Sequence, residues 1–254
     1  MLRVTSAPLW APKAGNSTAE YEDAFNPVRR GEYRAARLRF AVADGATEGL
    51  LSGFWAALLT KLYVRQWKGR EKMPAWLDRA CTDWEGLKAG YLKKREAGNR
   101  PVQWYEEPGL AAGAFSTLIG ITLAESPDDN TIAWQAAALG DSCLFQVRDR
   151  YLMLALPLHH PSQFSSRPFL LSSNPERNNG VLEHLETARG RALPGDRFYL
   201  ATDALAAWFL SECEDGGEPW EQVDQAAHGF SGWLSELRVA RRIHNDDTTC
   251  LRVQ

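Results

Sequence analysis

The chain is short of cysteine, with four in 254 residues, and Cys81, Cys143, Cys213 and Cys250 stand far apart with no C-x-x-C among them. That spacing argues against a zinc site or a disulfide framework and predicts reduced, mostly buried thiols. An excess of one charge is lacking too. The 29 Lys and Arg face 32 Asp and Glu, a formal net charge of -3, so neither nucleic acid nor an anionic membrane surface is expected as a partner. No apolar run is long enough to span a membrane, and no repeat or low-complexity segment is present. The opening MLRVTSAPLWAPKAGNS lacks the apolar centre of a signal peptide, which makes a cytoplasmic location the expectation. There is no G-x-S-x-G, so a Ser-His-Asp hydrolase is not signalled. Histidine is sparse. His159 and His160 fall in an irregular connection, His184 and His228 in polar segments, and His244, two residues before Asp246, is the best placed to donate a proton.

What is present starts with RFAVADGATEG, residues 39–49, where the apolar run Phe40 to Ala43 stops on Asp44-Gly45. Taken alone this is a strand ending in a tight turn, with Gly45 accepting a positive φ. A helix over 48–66 follows, its stripe made by Leu50, Leu51, Phe54, Trp55, Leu58, Leu59 and Leu62, and a second over 75–96 carries Trp76, Leu77, Trp84, Leu87 and Tyr91. From about residue 110 the runs AFSTLIGITLA, TIAWQAAALG, CLFQVRD and YLMLAL, separated by ESPDDN, GDS and RDR, predict an antiparallel meander. Residues 159–180, rich in Pro, Ser and Asn, read as a long irregular flap. Phe198 to Ala201 is another strand that stops on aspartate, at Thr202-Asp203, before helices over 203–212 and 219–241 and a closing strand after Asp246-Asp247. Helices beside a mostly antiparallel sheet make an α+β class.

The carboxylates at these element edges are Glu22-Asp23, Asp44, Asp141, Asp203 and Asp246-Asp247. Each alone reads as a turn or cap residue. Brought together they would repel one another without a cation, and hard oxygen donors with no His or Cys at ligand spacing suit Mg²⁺ or Mn²⁺ and phosphate ester hydrolysis.

Six motifs in order, EDAF, VADGATEG, GAFSTLIGITL, ALGDSCLFQVRD, PGDRFYLATDAL and NDDTTCLRV, resemble those of the metal-dependent serine/threonine protein phosphatases of the type 2C family, as in a divergent bacterial-type member. The resemblance spans nearly the whole chain, so 1–254 reads as one domain. It implies a four-layer sandwich of two antiparallel sheets flanked by helix pairs, two bound Mn²⁺ or Mg²⁺ ions, and a signalling enzyme that hydrolyses phosphoserine or phosphothreonine on protein substrates through a water bridging the ions. By the same resemblance Asp44 bridges the two ions and the Gly45 carbonyl contacts one of them. Glu22 and Asp23 serve that ion, Asp203 and Asp246 hold the other, and Asp141 with Asp203 takes a weaker third. Asp44 and Asp203 are the catalytic pair of this set. Asp247 falls where the family has Asn and reads as a turn or cap residue.

The pattern also breaks. Thr18 replaces a phosphate-gripping arginine, for which Arg29, Arg30, Arg34 and Arg167 are candidate substitutes, although each reads first as solvated surface charge; Ala204 replaces a glycine, Ala207 an aspartate, and Ala46-Thr47 the pair usual after Asp-Gly. Thr18 and Ala207 are the support for the competing reading, a catalytically silent module that keeps the sandwich to bind or regulate a partner, against which the retained acidic set favours an enzyme. The sequence does not specify the oligomeric state.

Overall fold

The computed structural model describes residues 1–46, 51–126 and 131–254. The strands in chain order are β1 (Leu2–Ala11), β2 (Ala24–Asn26), β3 (Gly31–Ala35), β4 (Arg37–Ala43), β5 (Phe115–Ser116), β6 (Leu118–Glu125), β7 (Ile132–Leu139), β8 (Cys143–Arg148), β9 (Tyr151–Leu156), β10 (Leu171–Ser172), β11 (Glu186–Ala192), β12 (Arg197–Ala201) and β13 (Thr248–Val253). The helices are α1 (Ser52–Gln66), α2 (Met73–Ala97), α3 (Glu107–Ala112), α4 (Asp203–Glu214), α5 (Pro219–Gln225) and α6 (Phe230–Val239). One sheet runs β3-β1-β13-β12-β8-β9 and the other β11-β7-β6-β4-β2, with β5 and β10 paired as a small ribbon.

Both faces of the central strands of each sheet are covered, which is why strands such as FAVA are apolar throughout instead of alternating with polar residues. Successive side chains point to opposite faces. In β4, Phe40 and Val42 enter the core between the sheets, while Ala41 and Ala43 face α1 and α2. In β12, Phe198 and Leu200 enter the same central core, while Tyr199 and Ala201 face α4, α5 and α6. The outcome is an α+β sandwich of four layers, helices, sheet, sheet, helices.

Several expectations change. GDS does not close a hairpin in a meander. β7 and β8 belong to different sheets, and Gly140, at φ 90°, turns the chain from one to the other. The helix expected over 219–241 breaks at the turn Ala226–His228 and at Gly229, where a residue without Cβ is a poor helix former. Phe54 and Leu87, placed on core stripes, are 57% and 46% exposed. The start of α1 as predicted, including Leu50, and most of the ESPDDN turn lie outside the described residues, as does Thr47. Residues 159–180 divide into two: His159 and His160 are exposed, whereas Leu171–Ser172 is buried and paired with β5. β1, β3, β11 and α3 were not foreseen. Pro8 masks β1, yet it falls beyond Leu2–Ser6, the stretch paired with β3, where β1 has a neighbour on one side only. A strand tolerates a missing N–H in that setting.

Candidate functional site

The alternation that buries Phe40 and Val42 between the sheets carries the next even position, Asp44, to the same side at the strand's end. Asp23 precedes β2, where Phe25 packs toward the central core and Ala24 toward the helices, so Asp23 falls on the inner side as well. It is 6% exposed. Its Oδ2 accepts hydrogen bonds from Thr202 Oγ1 at 3.0 Å and Thr249 Oγ1 at 2.7 Å, and its Oδ1 is buried with no partner. Thr249 is also hydrogen-bonded to the Tyr21 hydroxyl.

The backbone of Asp44 is tied on both sides. Its N–H donates to Thr117 Oγ1 at 3.0 Å, and its carbonyl accepts from Thr117 N–H at 2.9 Å and Ser116 Oγ at 2.7 Å. Thr117 is in turn hydrogen-bonded to Ser142 at 2.6 Å, so the crossover bearing Asp141 is joined to the strand end bearing Asp44. Gly45 is required for a reason other than a positive φ. It has ordinary backbone angles and bridges to Ser116, but a Cβ there would lie 2.6 Å from the Glu22 carbonyl oxygen and 2.8 Å from the Ser52 carbonyl carbon.

Charge shows which acids share the site. Burial pushes Asp44 well above the usual carboxylate range, and the charges of Asp23, Asp203, Asp141 and Asp246 add to it. Burial likewise raises Asp23, with Asp247 and Asp203 adding and the two threonine hydroxyls opposing. Asp141 is pushed up to about 7 by burial and by Asp203. Asp203 is raised by burial and Asp246, against the opposing effects of the Ala204 N–H, His244 and a hydrogen bond with Asp44. A hydrogen bond between two carboxyl groups requires a proton on one of them.

Asp23, Asp44, Asp141, Asp203 and Asp246 are therefore brought together. Asp141, Asp203, Asp246 and His244 line a cleft of about 600 Å³, walled on one side by Pro161, Phe164, Ser165 and Ser166 of the 159–180 segment. Asp247 is turned to the backbone, accepting from the N–H groups of Lys13 at 2.8 Å and Glu22 at 2.7 Å. Glu22 is half-buried and lines a neighbouring cleft with Leu51, Gly53 and Phe54. Ala207 lines the main cleft. Thr18 is exposed in a short turn, and Arg30 and Arg34 are engaged by the Ala227 carbonyl and Glu32. His184 stacks on Phe169 and His160 pairs with Glu214.

These residues fit a hard cation. No ion pair joins a Lys or Arg to any of the five acids among the described residues, and one carboxylate oxygen is buried and unsatisfied. Arg238, whose cation feels Asp247 and Asp246, donates from its terminal nitrogens to the carbonyls of Pro12 and Asp246 and to Thr248, and its Nε is buried without a partner. No group of three or more His, Cys, Asp or Glu side chains among the described residues is placed to hold a metal ion as the side chains stand. An open acidic wall suits Mg²⁺ or Mn²⁺, which retain several waters, better than zinc.

Sequence reasoning missed the supports: Tyr21, Thr202 and Thr249 around Asp23, and the Ser116–Thr117–Ser142 hydroxyls around Asp44. The signal was in plain view, since Thr202 and Thr249 belong to the quoted TD and TT pairs. It also missed Arg242 on the cleft wall.

No protein-family model and no curated protein matches the chain. Among solved structures, the serine/threonine phosphatase PstP/Ppp of Mycobacterium tuberculosis is similar at a TM-score of 0.57 and 18% identity, over 100% of this chain and 99% of that one. A bacterial serine phosphatase gives 0.55 at 12% identity, over 98% and 96%. The catalytic domain of PstP in complex with two manganese ions gives 0.53 at 16%, over 99% and 98%. The likeness is one of fold: the chain has the sandwich of the type 2C phosphatases.

Proposed function

We propose that this protein is a Mn²⁺- or Mg²⁺-dependent phosphatase acting on phosphoserine or phosphothreonine in proteins. The observation that carries the reading is the set of five aspartates at one edge between the sheets, with buried carboxylates that form no ion pair with a Lys or Arg among the described residues. Keeping such a cluster is costly unless cations occupy it. When bound, the ions supply charge neutralisation, Lewis acidity toward phosphoryl oxygens and an acidified water.

The chain's own residues hold and orient. Asp44 lies centrally, within the electrostatic reach of the other four acids, and would help to hold both ions, with the Gly45 carbonyl as a further donor. Of the first acidic pair, Asp23 is the better candidate ligand, being buried in the cluster where Glu22 lines the adjoining cleft. Asp203 and Asp246 face the cleft and would hold the second ion, and Asp141 with Asp203 offers the weaker third position. The hydroxyls of Thr202 and Thr249 fix one Asp23 oxygen and leave the other for metal. The solvent-facing wall, Pro161 to Ser166, bounds the path by which a phosphorylated side chain enters.

The test is hydrolysis of a phosphopeptide by purified protein with chelator, then with Mn²⁺, Mg²⁺ or Zn²⁺ restored across pH. Turnover should vanish with chelator, return with Mn²⁺ or Mg²⁺ but not zinc, and rise from neutral to alkaline pH. Chelator-resistant hydrolysis would reject the metal mechanism, and silence with every ion would favour the binding module.

A further inference from the structure

A phosphate dianion that approaches a wall of carboxylates needs a protein cation for the oxygens it turns away from the metals. The position where the type 2C pattern puts arginine is Thr18, exposed in its turn, and Arg30 and Arg34 are engaged elsewhere. One Lys or Arg among the described residues lines the acidic cleft, and it is Arg242. We propose that Arg242 is the phosphate-binding residue of this site, taking a phosphomonoester dianion; the assignment rests on the phosphatase reading above.

Its placement is built. α6 ends in a left-handed turn in which the Arg241 N–H donates to the Arg238 carbonyl at 3.0 Å and the Arg242 N–H to the Leu237 carbonyl at 2.9 Å. Arg241 takes φ 56°, a conformation in which glycine is the usual occupant, so the reversal is held against a backbone preference. It sends Ile243 into the outer core and lays residues 242–246 along the cleft. The guanidinium is held by Glu212 of α4, which accepts from Arg242 Nη2 at 2.7 Å and is itself held through its other oxygen by Gln222 Nε2 at 3.1 Å. A guanidinium has five N–H donors, so one bond to Glu212 orients the fork and leaves the rest for a ligand. The side chain is 49% exposed, open to an incoming phosphate, with the Ser165 and Ser166 segment on the same cleft.

The experiment compares wild type with Arg242→Met, Arg242→Lys, Glu212→Gln and, as a control off the cleft lining, Arg167→Met. It reads kcat and KM on a phosphopeptide, inhibition by inorganic phosphate, and the Mn²⁺ midpoint of the thermal shift. Arg242→Met should raise both KM and the phosphate inhibition constant about tenfold or more, with Arg242→Lys intermediate, Glu212→Gln smaller and Arg167→Met near wild type. The Mn²⁺ midpoint should stay put, because Arg242 touches no ligand carboxylate. Unchanged KM and phosphate inhibition in folded Arg242→Met would overturn the assignment and leave the phosphatase reading standing. Should that variant fail to fold, Arg242→Lys and Glu212→Gln with wild-type constants would overturn it equally. If wild type hydrolyses nothing, calorimetry of inorganic phosphate on the Mn²⁺-loaded protein decides separately: binding weakened by Arg242→Met supports the site, and absent or unaltered binding refutes it.

Discussion

Two buried aspartate sites in this molecule have opposite electrostatic character. Asp196, 5% exposed, accepts from Arg148 Nε at 2.7 Å and Nη2 at 2.8 Å, from Gln146 Nε2 at 2.7 Å and from the Leu193 N–H at 3.1 Å. Burial pushes its carboxyl up, but Arg148, the Leu193 N–H and Gln146 more than offset that and hold it below the usual range. Asp44 and Asp23 are held above that range by burial and by the charges of neighbouring aspartates, Asp203 among them for both. A carboxylate that serves the fold is supplied with a cation by the chain. In the proposed metal site the carboxylates are supplied with hydroxyls and a backbone amide, and their charge would be left for an ion from solution.

The contrast breaks most sharply at its functional end. Asp44→Asn should lower Mn²⁺-dependent turnover about a thousandfold or more, equivalent to about 4 kcal/mol. The metal-free variant should be no less stable than wild type, since it loses one of several repelling charges. Wild-type turnover in assays, or unfolding of the variant, would contradict the assignment.

At the structural end, Arg148→Met leaves Asp196 buried without its cation and should destabilise by roughly 3 kcal/mol in chemical denaturation. Activity per folded molecule and the response to Mn²⁺ should be unchanged. A lost Mn²⁺ response would show that the two sites are not separate in kind.

Metal and pH sharpen the comparison. Asp44, Asp23, Asp203 and Asp141 are raised in the fold, so the native state binds more protons than the unfolded chain. Their contribution to stability is present below the ordinary aspartate value of 3.8 and is lost as pH rises through the folded value, about 7 for Asp141. Metal-free protein should therefore lose stability through these groups as pH rises from about 4 to about 7. Mn²⁺ at a hundred times its Kd should restore about 2.7 kcal/mol near pH 8 and almost nothing near pH 4. Melting curves with and without chelator check the sign; a metal effect that is larger in acid would refute it.

The smallest effect is expected at Gly45. Gly45→Ala drives a methyl into the Glu22 and Ser52 backbones and should cost about 1–3 kcal/mol, with metal affinity weakened through displaced Asp44. Wild-type stability would mean that the three backbones part easily.

Much of this was legible in the residues. Strands that stop on aspartate, Phe40–Ala43 and Phe198–Ala201, read correctly because their apolar runs are short and followed by turn or helix signals. Strands with polar outer faces did not: β11, whose side chains are mostly exposed or half-buried, carries little hydrophobic signal. Phe54 and Leu87 were misplaced because helical spacing marks a stripe wider than the part of it that a neighbour covers.

By itself the sequence determined the chemistry on offer: hard oxygen donors at the edges of elements, with no His or Cys at ligand spacing among them. Tertiary structure alone decided which acid of the first pair is buried with the other aspartates; in the second pair the sequence had already set Asp247 apart as a turn or cap residue. Asp23 is buried in the cluster while Glu22 lines the next cleft, and Asp246 faces the cleft while Asp247 binds backbone amides. It also moved Asp141 from a hairpin to a crossover between sheets and set Arg242 on the cleft that Asp141, Asp203 and Asp246 line. The physical reason is that alternation is a local property of the chain, whereas burial and the repulsion between carboxylates depend on distances through space, and those are set by pairings between residues as far apart as Asp23 and Thr249.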